Sequence, residues 1–185
     1  MTIFNNKDHH RRSIRLREFD YTTPGSYFIT VCAFNQNLLF GKIVDGNVSL
    51  NEYGNIVMNE WLKTPQIRPY VQLDEFIVMP NHIHGILILT SRTGLGHGTP
   101  CPYEEFGVPT RNSIPSVIRA FKSAVARQIN LINKTPGNPV WQRNYYEHMI
   151  RNENSLNILR EYISQNPEKW NINESADYHH NHYGF

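Results

Sequence analysis

The order of strand-like and helix-like segments constrains the fold of this chain more than any other feature. Strand patterns are runs rich in β-branched and aromatic residues, and helix patterns repeat apolar residues three and four positions apart. They predict strands at 26–35, 71–79, 83–89 and 145–150, helices at 53–62, 114–132 and 156–163, and a hairpin around Asp45-Gly46-Asn47. The order β-α-β-β-α-β predicts an α+β, ferredoxin-like antiparallel sheet with two helices on one face, the extra hairpin and a C-terminal helix. The opposite face of the sheet is then left free to carry a site.

The composition fits one folded domain with short flanking segments. The chain has 185 residues, of which 39% are hydrophobic and 18% charged, and this balance argues against intrinsic disorder. It has no run of roughly 18 apolar residues, no apolar N-terminal signal region and no CxxC pair, so we expect a cytoplasmic protein without a cysteine zinc site. We divide it into a basic arm at 1–20, a domain at 21–170 with a mobile loop at 91–112, and a tail at 171–185.

Basic residues are concentrated in two tracts, although the net charge is only +2. Five basic residues and one acid lie at 7–17, and six basic residues and no acid lie at 107–146. Such tracts favour an anionic partner, with nucleic acid first. The alternative is that these are ordinary solvated lysines and arginines, and charge alone does not decide between the two.

His82-Ile83-His84 places two imidazoles on a predicted strand. Residues two apart on a strand point to the same side, so both rings are expected on one face of the sheet. Two imidazoles in this arrangement can ligate one divalent metal ion. The alternative is a pair of surface histidines, but the surrounding apolar strand makes two polar groups there unexpected without a role.

Tyr162 and Asn166 lie four residues apart on the last predicted helix and therefore share a helix face. A phenol beside the apolar stripe of Leu156, Leu159 and Ile163 is usually a core or rim residue. It becomes a useful nucleophile when it faces a polarised electrophile. Asn166 can offer an amide oxygen to a metal ion, or it can simply end the helix before a proline.

The segment 141–148 (WQRNYYEH) interleaves aromatic side chains with Arg143 and His148. Aromatic rings stack on nucleobases while cations bind phosphates, so this composition favours single-stranded nucleic acid. The alternative is a strand with packed aromatic residues. His148 is also a candidate acid–base group or metal ligand.

Three motifs follow one another along the chain: Met79-Pro80-Asn81-His82-Ile83-His84-Gly85, the segment 141–152 that begins with Trp141-Gln142, and Glu161-Tyr162-Ile163 followed by Asn166-Pro167. In this order and spacing they resemble the IS200-like single-tyrosine HUH transposases, and most closely their branch of REP-associated tyrosine transposases. The arginine-rich arm and the strand at 27–34 extend the resemblance over nearly the whole chain.

The resemblance implies a ferredoxin-like fold and an enzyme that cuts and joins single-stranded DNA at or near hairpins, as a monomer or homodimer. It implies that His82 and His84 hold Mg²⁺ or Mn²⁺ and that Tyr162 forms a 5′-phosphotyrosine. Asn166 stands where relatives have a glutamine as third metal ligand. We expect Arg119, Lys122 and Arg127 on the outer side of the long helix. The expected DNA-binding residues are Arg11, Arg12, Arg15, Arg17, Arg119, Lys122, Arg127, Arg143, Tyr145 and Tyr146.

Other functions and other nucleophiles remain open at this stage. A phosphoesterase with two separate histidine motifs is disfavoured because the chain has one HxH in its predicted domain, and the other, His180-Asn181-His182, lies in the tail. A domesticated, sequence-specific DNA-binding protein without transposition activity is the main alternative. Tyr145, Tyr146 and Tyr178 are rival tyrosines, ranked lower because none has a polar partner four residues further along the same helix. The histidines of the tail could bind metal adventitiously, but we expect a disordered surface tail instead.

Overall fold

The computed structural model describes residues 22–90 and 112–170. Its elements are β1 (Gly25–Cys32), a 3₁₀ turn (Phe34–Gln36), β2 (Gly41–Val44), β3 (Asn47–Leu50), α1 (Glu52–Leu62), α2 (Thr64–Ile67), β4 (Val71–Val78), β5 (His82–Leu89), α3 (Ile114–Asn133), β6 (Tyr146–Ile150) and α4 (Glu153–Gln165). The predicted roles of the basic arm with Arg11, Arg12, Arg15 and Arg17, of the mobile loop, and of the tail with Tyr178 fall on residues outside these ranges.

Four strands form one antiparallel sheet in the order β4-β5-β1-β6. This is the strand order of a ferredoxin-like βαββαβ fold, so the predicted fold class is confirmed. β2 and β3 form a separate two-stranded hairpin. Its two-residue loop has positive φ at both Asp45 (50°) and Gly46 (72°), as a tight hairpin turn requires.

The first residues of α2 and α3 are of the types that favour the start of a helix. The side chain of Ser113 accepts a hydrogen bond from the backbone N–H of Ser116 and so caps α3, as the sequence predicts. α1 ends at Leu62, before Pro65, as the sequence predicts. Pro65 itself lies in the first turn of the short helix α2, where no N–H is required of it. Within the described part of the chain, no helix has the length and apolar character needed to cross a membrane.

The larger hydrophobic core lies between the sheet and the helices α1 and α3. Alternate residues of β1 and β5 point into it, and the indole of Trp61 from α1 and the ring of Phe121 from α3 close it. The strand residues on this side are Tyr27, Ile29, Val31, Ile83, Leu87 and Leu89, each at most 3% exposed. Helices pack here because their apolar stripes match the odd-numbered face of the central strands.

The opposite face of the sheet is partly covered by α4. Leu156, Leu159 and Ile163 form the apolar stripe of this helix and pack with Phe28 and Ile86 of the sheet. The expectation that this face is left free therefore needs a correction. Because these three side chains recur at helical spacing, α4 has an apolar side to bury, and this sheet face receives it.

Candidate metal and tyrosine site

Both histidines lie at the start of β5, directly after the turn at Pro80 and Asn81. In the register with β1, His82 lies opposite Cys32 and His84 opposite Thr30. The two ring centroids are 4.4 Å apart, and the residues are only 7% and 1% exposed. The strand alternation therefore places both imidazoles together on the sheet face that α4 covers.

Each imidazole has an outer hydrogen-bond partner at its Nδ1 atom. Nδ1 of His84 lies 2.8 Å from Oγ1 of Thr30, and Nδ1 of His82 lies 2.6 Å from Oδ1 of Asn81. Both partners are themselves buried, at 6% and 5% exposure. A second partner of this kind is how proteins orient imidazole ligands.

Burial sets the charge state of the inner histidine. Burial, and after it the proximity of His82, hold the pKa of His84 well below its usual value. His84 is therefore neutral at physiological pH. The neutral form of imidazole is the one that ligates metal ions.

Helix α4 brings Tyr162 to this pair. The Oη atom of Tyr162 lies 3.4 Å from Nε2 of His84, and the two ring centroids are 5.3 Å apart. Phe28 borders both rings, stacking on His84 at 5.3 Å and meeting Tyr162 edge-on at 6.2 Å. The structure thus brings together three residues that the sequence singled out separately.

Asn166 and Trp170 lie beyond Tyr162 along the chain. Asn166 follows α4 directly and is 4% exposed, so its amide is buried one turn after the tyrosine. The ring of Trp170 lies 6.0 Å from that of His82. Sequence reasoning did not single out Trp170, because a lone tryptophan after the last helix has no periodicity that would place it.

The two imidazoles are of the ligand type that can hold a divalent metal ion, and such a pair suits zinc and nickel as well as manganese. Across 22–90 and 112–170, no group of three or more His, Cys, Asp or Glu side chains is placed to hold a metal ion. Two imidazoles and a neighbouring amide are uncharged donors when they ligate a metal ion, and they leave positions for anionic oxygens. This is chemically consistent with an ion that also binds DNA phosphate, and Asn166 as third ligand stays a prediction.

A salt bridge attaches α4 to the edge strand β4. The guanidinium of Arg160 donates from Nε to Oδ1 of Asp74 at 2.8 Å and from Nη2 to Oδ2 at 2.6 Å. The hydrogen bonds from Arg160 lower the pKa of the Asp74 carboxyl, against the opposing effect of its burial. Asp74 lies where the β4–β5 register shifts, between Leu73 and Phe76. The sequence contains no local signal for this pair because its members are 86 residues apart.

The two adjacent tyrosines at the start of β6 pack on opposite faces of the sheet. Tyr146 pairs with Thr30 in the sheet and lies edge-on to Phe28 on the site face, where burial raises its pKa. His148 pairs with Phe28 and is partly buried, and burial lowers its pKa. Tyr145 packs instead against the larger core and donates a 2.6 Å hydrogen bond to Glu147. Tyr146 is therefore the rival tyrosine that lies nearer to the histidines.

The basic residues of α3 are not brought to this site. Arg119 and Arg127 are exposed, as expected, but α3 packs on the other face of the sheet. Arg143 is exposed in the segment before β6. These three residues keep a predicted DNA-binding role, on surfaces other than the histidine pocket.

The position expected for Lys122 is wrong. Its ammonium does not lie on the outer side of α3 but donates to the backbone carbonyl groups of Gln142, Arg143 and Asn144, at 2.5, 3.1 and 3.3 Å. Burial lowers its pKa to about 8. The long side chain flanks the apolar stripe and reaches carbonyl groups that need donors, so Lys122 fixes the 142–144 segment.

Comparison with known proteins identifies a related sequence and solved structures with a similar fold. No protein-family profile matches the chain. A Haemophilus influenzae protein, described as uncharacterized, is 41% identical over 175 residues, which cover 91% of this chain and 94% of the relative. The structure of a REP-associated tyrosine transposase bound to a REP hairpin superposes with a TM-score of 0.55 and 22% identity, covering 85% of this chain and 74% of that one. A candidate transposase from Deinococcus radiodurans R1 has a TM-score of 0.45 and 16% identity, with 82% and 96% covered.

Proposed function

We infer that this chain, which belongs to one family with the Haemophilus influenzae protein and has the fold of a REP-associated tyrosine transposase, is itself a transposase of the single-tyrosine HUH kind. We further propose that it cuts and joins single-stranded DNA at or near hairpins. The observation that carries this proposal is the 3.4 Å approach of Tyr162 Oη to Nε2 of His84, next to His82. A tyrosine from the last helix and a histidine pair from the central strand meet on one sheet face, as the mechanism requires.

In the proposed reaction Tyr162 is the nucleophile. Its Oη atom forms a bond to the scissile phosphorus, the bond from phosphorus to the 3′-oxygen breaks, and the departing oxygen takes up a proton while the phenol loses one. The product is a 5′-phosphotyrosine and a free 3′-OH. Because the phosphotyrosine conserves the energy of the broken bond, a 3′-OH can reverse the step and join strands without a nucleotide cofactor.

His82 and His84 would hold Mg²⁺ or Mn²⁺, with Asn166 as the proposed third ligand. Bound there, the ion supplies Lewis-acid polarisation of the phosphate oxygens and neutralises their charge. The protein's own part is to keep the imidazole of His84 neutral by burial and to hold Tyr162 beside it through α4. His148, partly buried on the same sheet face, is a candidate acid–base group for the protons that move.

The DNA would enter along the open part of the site face. Tyr146 on β6 and the indole of Trp170 beside His82 offer aromatic surfaces on which bases flanking the scissile phosphate can stack. Exposed Arg119, Arg127 and Arg143 lie on other surfaces and would contact the phosphates of a hairpin stem, a contribution that weakens with salt.

The test is formation of a covalent protein–DNA adduct. The protein is incubated with a labelled single-stranded oligonucleotide containing a REP-like hairpin and Mn²⁺, and adducts are resolved on a denaturing gel. We expect an adduct from the wild type that is lost in Tyr162→Phe and in His84→Ala. Tyr146→Phe is the matched control, because it removes the same hydroxyl from the same sheet face and should retain the adduct.

Two outcomes would refute parts of the proposal. An adduct that survives in Tyr162→Phe and disappears in Tyr146→Phe would transfer the nucleophile role to Tyr146. Hairpin binding by the wild type without any adduct, measured by native gel shift at several salt concentrations, would support the alternative of a DNA-binding protein without transposition activity.

A further inference from the structure

We propose that Thr30 and Asn81 are positioning residues that hold His84 and His82 in the tautomer with the proton on Nδ1, so that both Nε2 lone pairs are presented to the ion. This inference rests on the proposed function for the ion, whereas the tautomer of His82 follows from its hydrogen bond alone. A histidine protonated on Nε2 has no lone pair there and cannot ligate through that atom.

For His82 the partner decides the tautomer. The Oδ1 atom of Asn81 is an amide oxygen and can only accept a hydrogen bond, so Nδ1 of His82, 2.6 Å away, carries the proton. Asn81 is 5% exposed, and its backbone carbonyl accepts a 2.7 Å hydrogen bond from the N–H of Ala33. The turn before β5 is thus attached to the end of β1, which limits the movement of the acceptor.

For His84 both ring nitrogens face hydroxyl groups, and the proposed tautomer fits both contacts. The Thr30 hydroxyl, 2.8 Å from Nδ1, can donate or accept, so this contact alone leaves both tautomers open. On the other side, Oη of Tyr162 faces Nε2 at 3.4 Å. The phenol hydroxyl can also donate or accept. In the arrangement that we propose it donates to Nε2, so Nδ1 carries the proton and Thr30 accepts.

The sheet makes this arrangement rigid. Thr30 and His84 are directly opposed in the register of β1 and β5, the two central strands, and both are almost fully buried. A hydroxyl on the neighbouring strand is therefore held at a fixed distance from the ring. Removing such an outer partner typically weakens metal binding by about 10–100-fold, because the ring loses its orientation and its fixed tautomer.

The experiment uses shape-matched variants and two readouts. Thr30→Val removes the hydroxyl at nearly constant volume, and Thr30→Ser keeps it; Asn81→Ala removes the acceptor, and Asn81→Asp keeps one. Long-range ¹H–¹⁵N NMR spectra of the metal-free protein report which nitrogen of each imidazole is protonated. Titration of the DNA-free protein with Mn²⁺, followed by electron paramagnetic resonance, reports affinity without any cleavage reaction.

We expect Nδ1–H signals for both histidines in the wild type and in the Ser and Asp variants. Thr30→Val and Asn81→Ala should weaken Mn²⁺ binding about 10–100-fold. Thr30→Ser and Asn81→Asp should bind Mn²⁺ about as tightly as the wild type. Wild-type spectra with the proton on Nε2 overturn the inference without reference to any variant, so a variant that fails to fold leaves it testable.

The failure of this inference is distinguishable from failure of the proposed function. If the wild type binds Mn²⁺ and His84→Ala abolishes binding, but Thr30→Val and Asn81→Ala bind as tightly as the wild type, the positioning role is overturned and the metal site stands. If the wild type shows both Nδ1–H tautomers but binds no Mn²⁺, the ion of the proposed function is overturned, and with it the role of Thr30 and Asn81 toward that ion.

Discussion

The close contact between Gly85 and Trp61 gives a prediction whose size follows from the structure. Gly85 follows His84 on β5, and its side facing the larger core lies under the Trp61 indole. A Cβ atom placed on Gly85 would lie 2.5 Å from Cζ2 and 3.0 Å from Cε2 of Trp61, and 3.1 Å from Cβ of Phe76. The first distance is about 1 Å shorter than a normal carbon–carbon contact. Gly85→Ala therefore requires that the indole or the strand moves.

The indole has little room to move. Trp61 is 1% exposed, and the ring of Phe121 meets it edge-on at 5.2 Å. Overpacking of a core in this way typically costs about 1–3 kcal/mol. For a domain of this size we expect the melting temperature of Gly85→Ala to fall by about 2–4 °C for each kcal/mol lost.

A double-mutant cycle tests the assigned cause. Trp61→Phe removes the benzo ring that the new methyl group meets, and with it an indole N–H that is buried without a hydrogen-bond partner among the described residues. We expect Gly85→Ala to cost less in the Trp61→Phe background, with a coupling energy of about 1 kcal/mol or more, measured by urea unfolding of the four proteins. Costs that add to within about 0.5 kcal/mol would refute the clash as the cause.

Three further predictions concern α4 and its contacts. Arg160 lowers the pKa of Asp74 in the folded state, so the ionised carboxylate stabilises the fold. This contribution is fully present above the unfolded pKa of about 4 and is lost as the pH falls through the lowered folded pKa. Asp74→Asn should therefore lower the free energy of unfolding at neutral pH but not near pH ~2, and an equal loss at both pH values would contradict this. Tyr162→Phe should tighten Mn²⁺ binding by up to about fivefold, because the phenol competes with the ion for Nε2 of His84 through a hydrogen bond worth about 1 kcal/mol at most. Weaker Mn²⁺ binding of this variant, measured by electron paramagnetic resonance, would contradict the prediction. Asn152→Ala removes the side-chain cap of α4 and should cost about 1 kcal/mol of stability by urea unfolding, and no loss would show that the cap is dispensable.

Periodicity made most of the fold predictable. The long helix α3 is observed at Ile114–Asn133, against a prediction of 114–132, since its apolar stripe and its serine cap are both local signals. The hairpin turn is equally local. Lys122 shows the limit of this reasoning, because its partners are carbonyl groups 20 to 22 residues further along the chain and only the packing of α3 near the 142–144 segment brings them together.

The alternation of a β-strand, which the chain itself encodes, was sufficient to put His82 and His84 on one side of β5. No local sequence pattern determines which side of the sheet that is. Nor does one show that Tyr162, 78 residues beyond His84, reaches the same side. That was decided by the burial of apolar area, as the stripe of α4 covers Phe28 and Ile86 on the even-numbered face. Hydrophobic burial is non-directional and joins segments that are far apart in the sequence, and the tyrosine meets the histidines as a consequence of that packing.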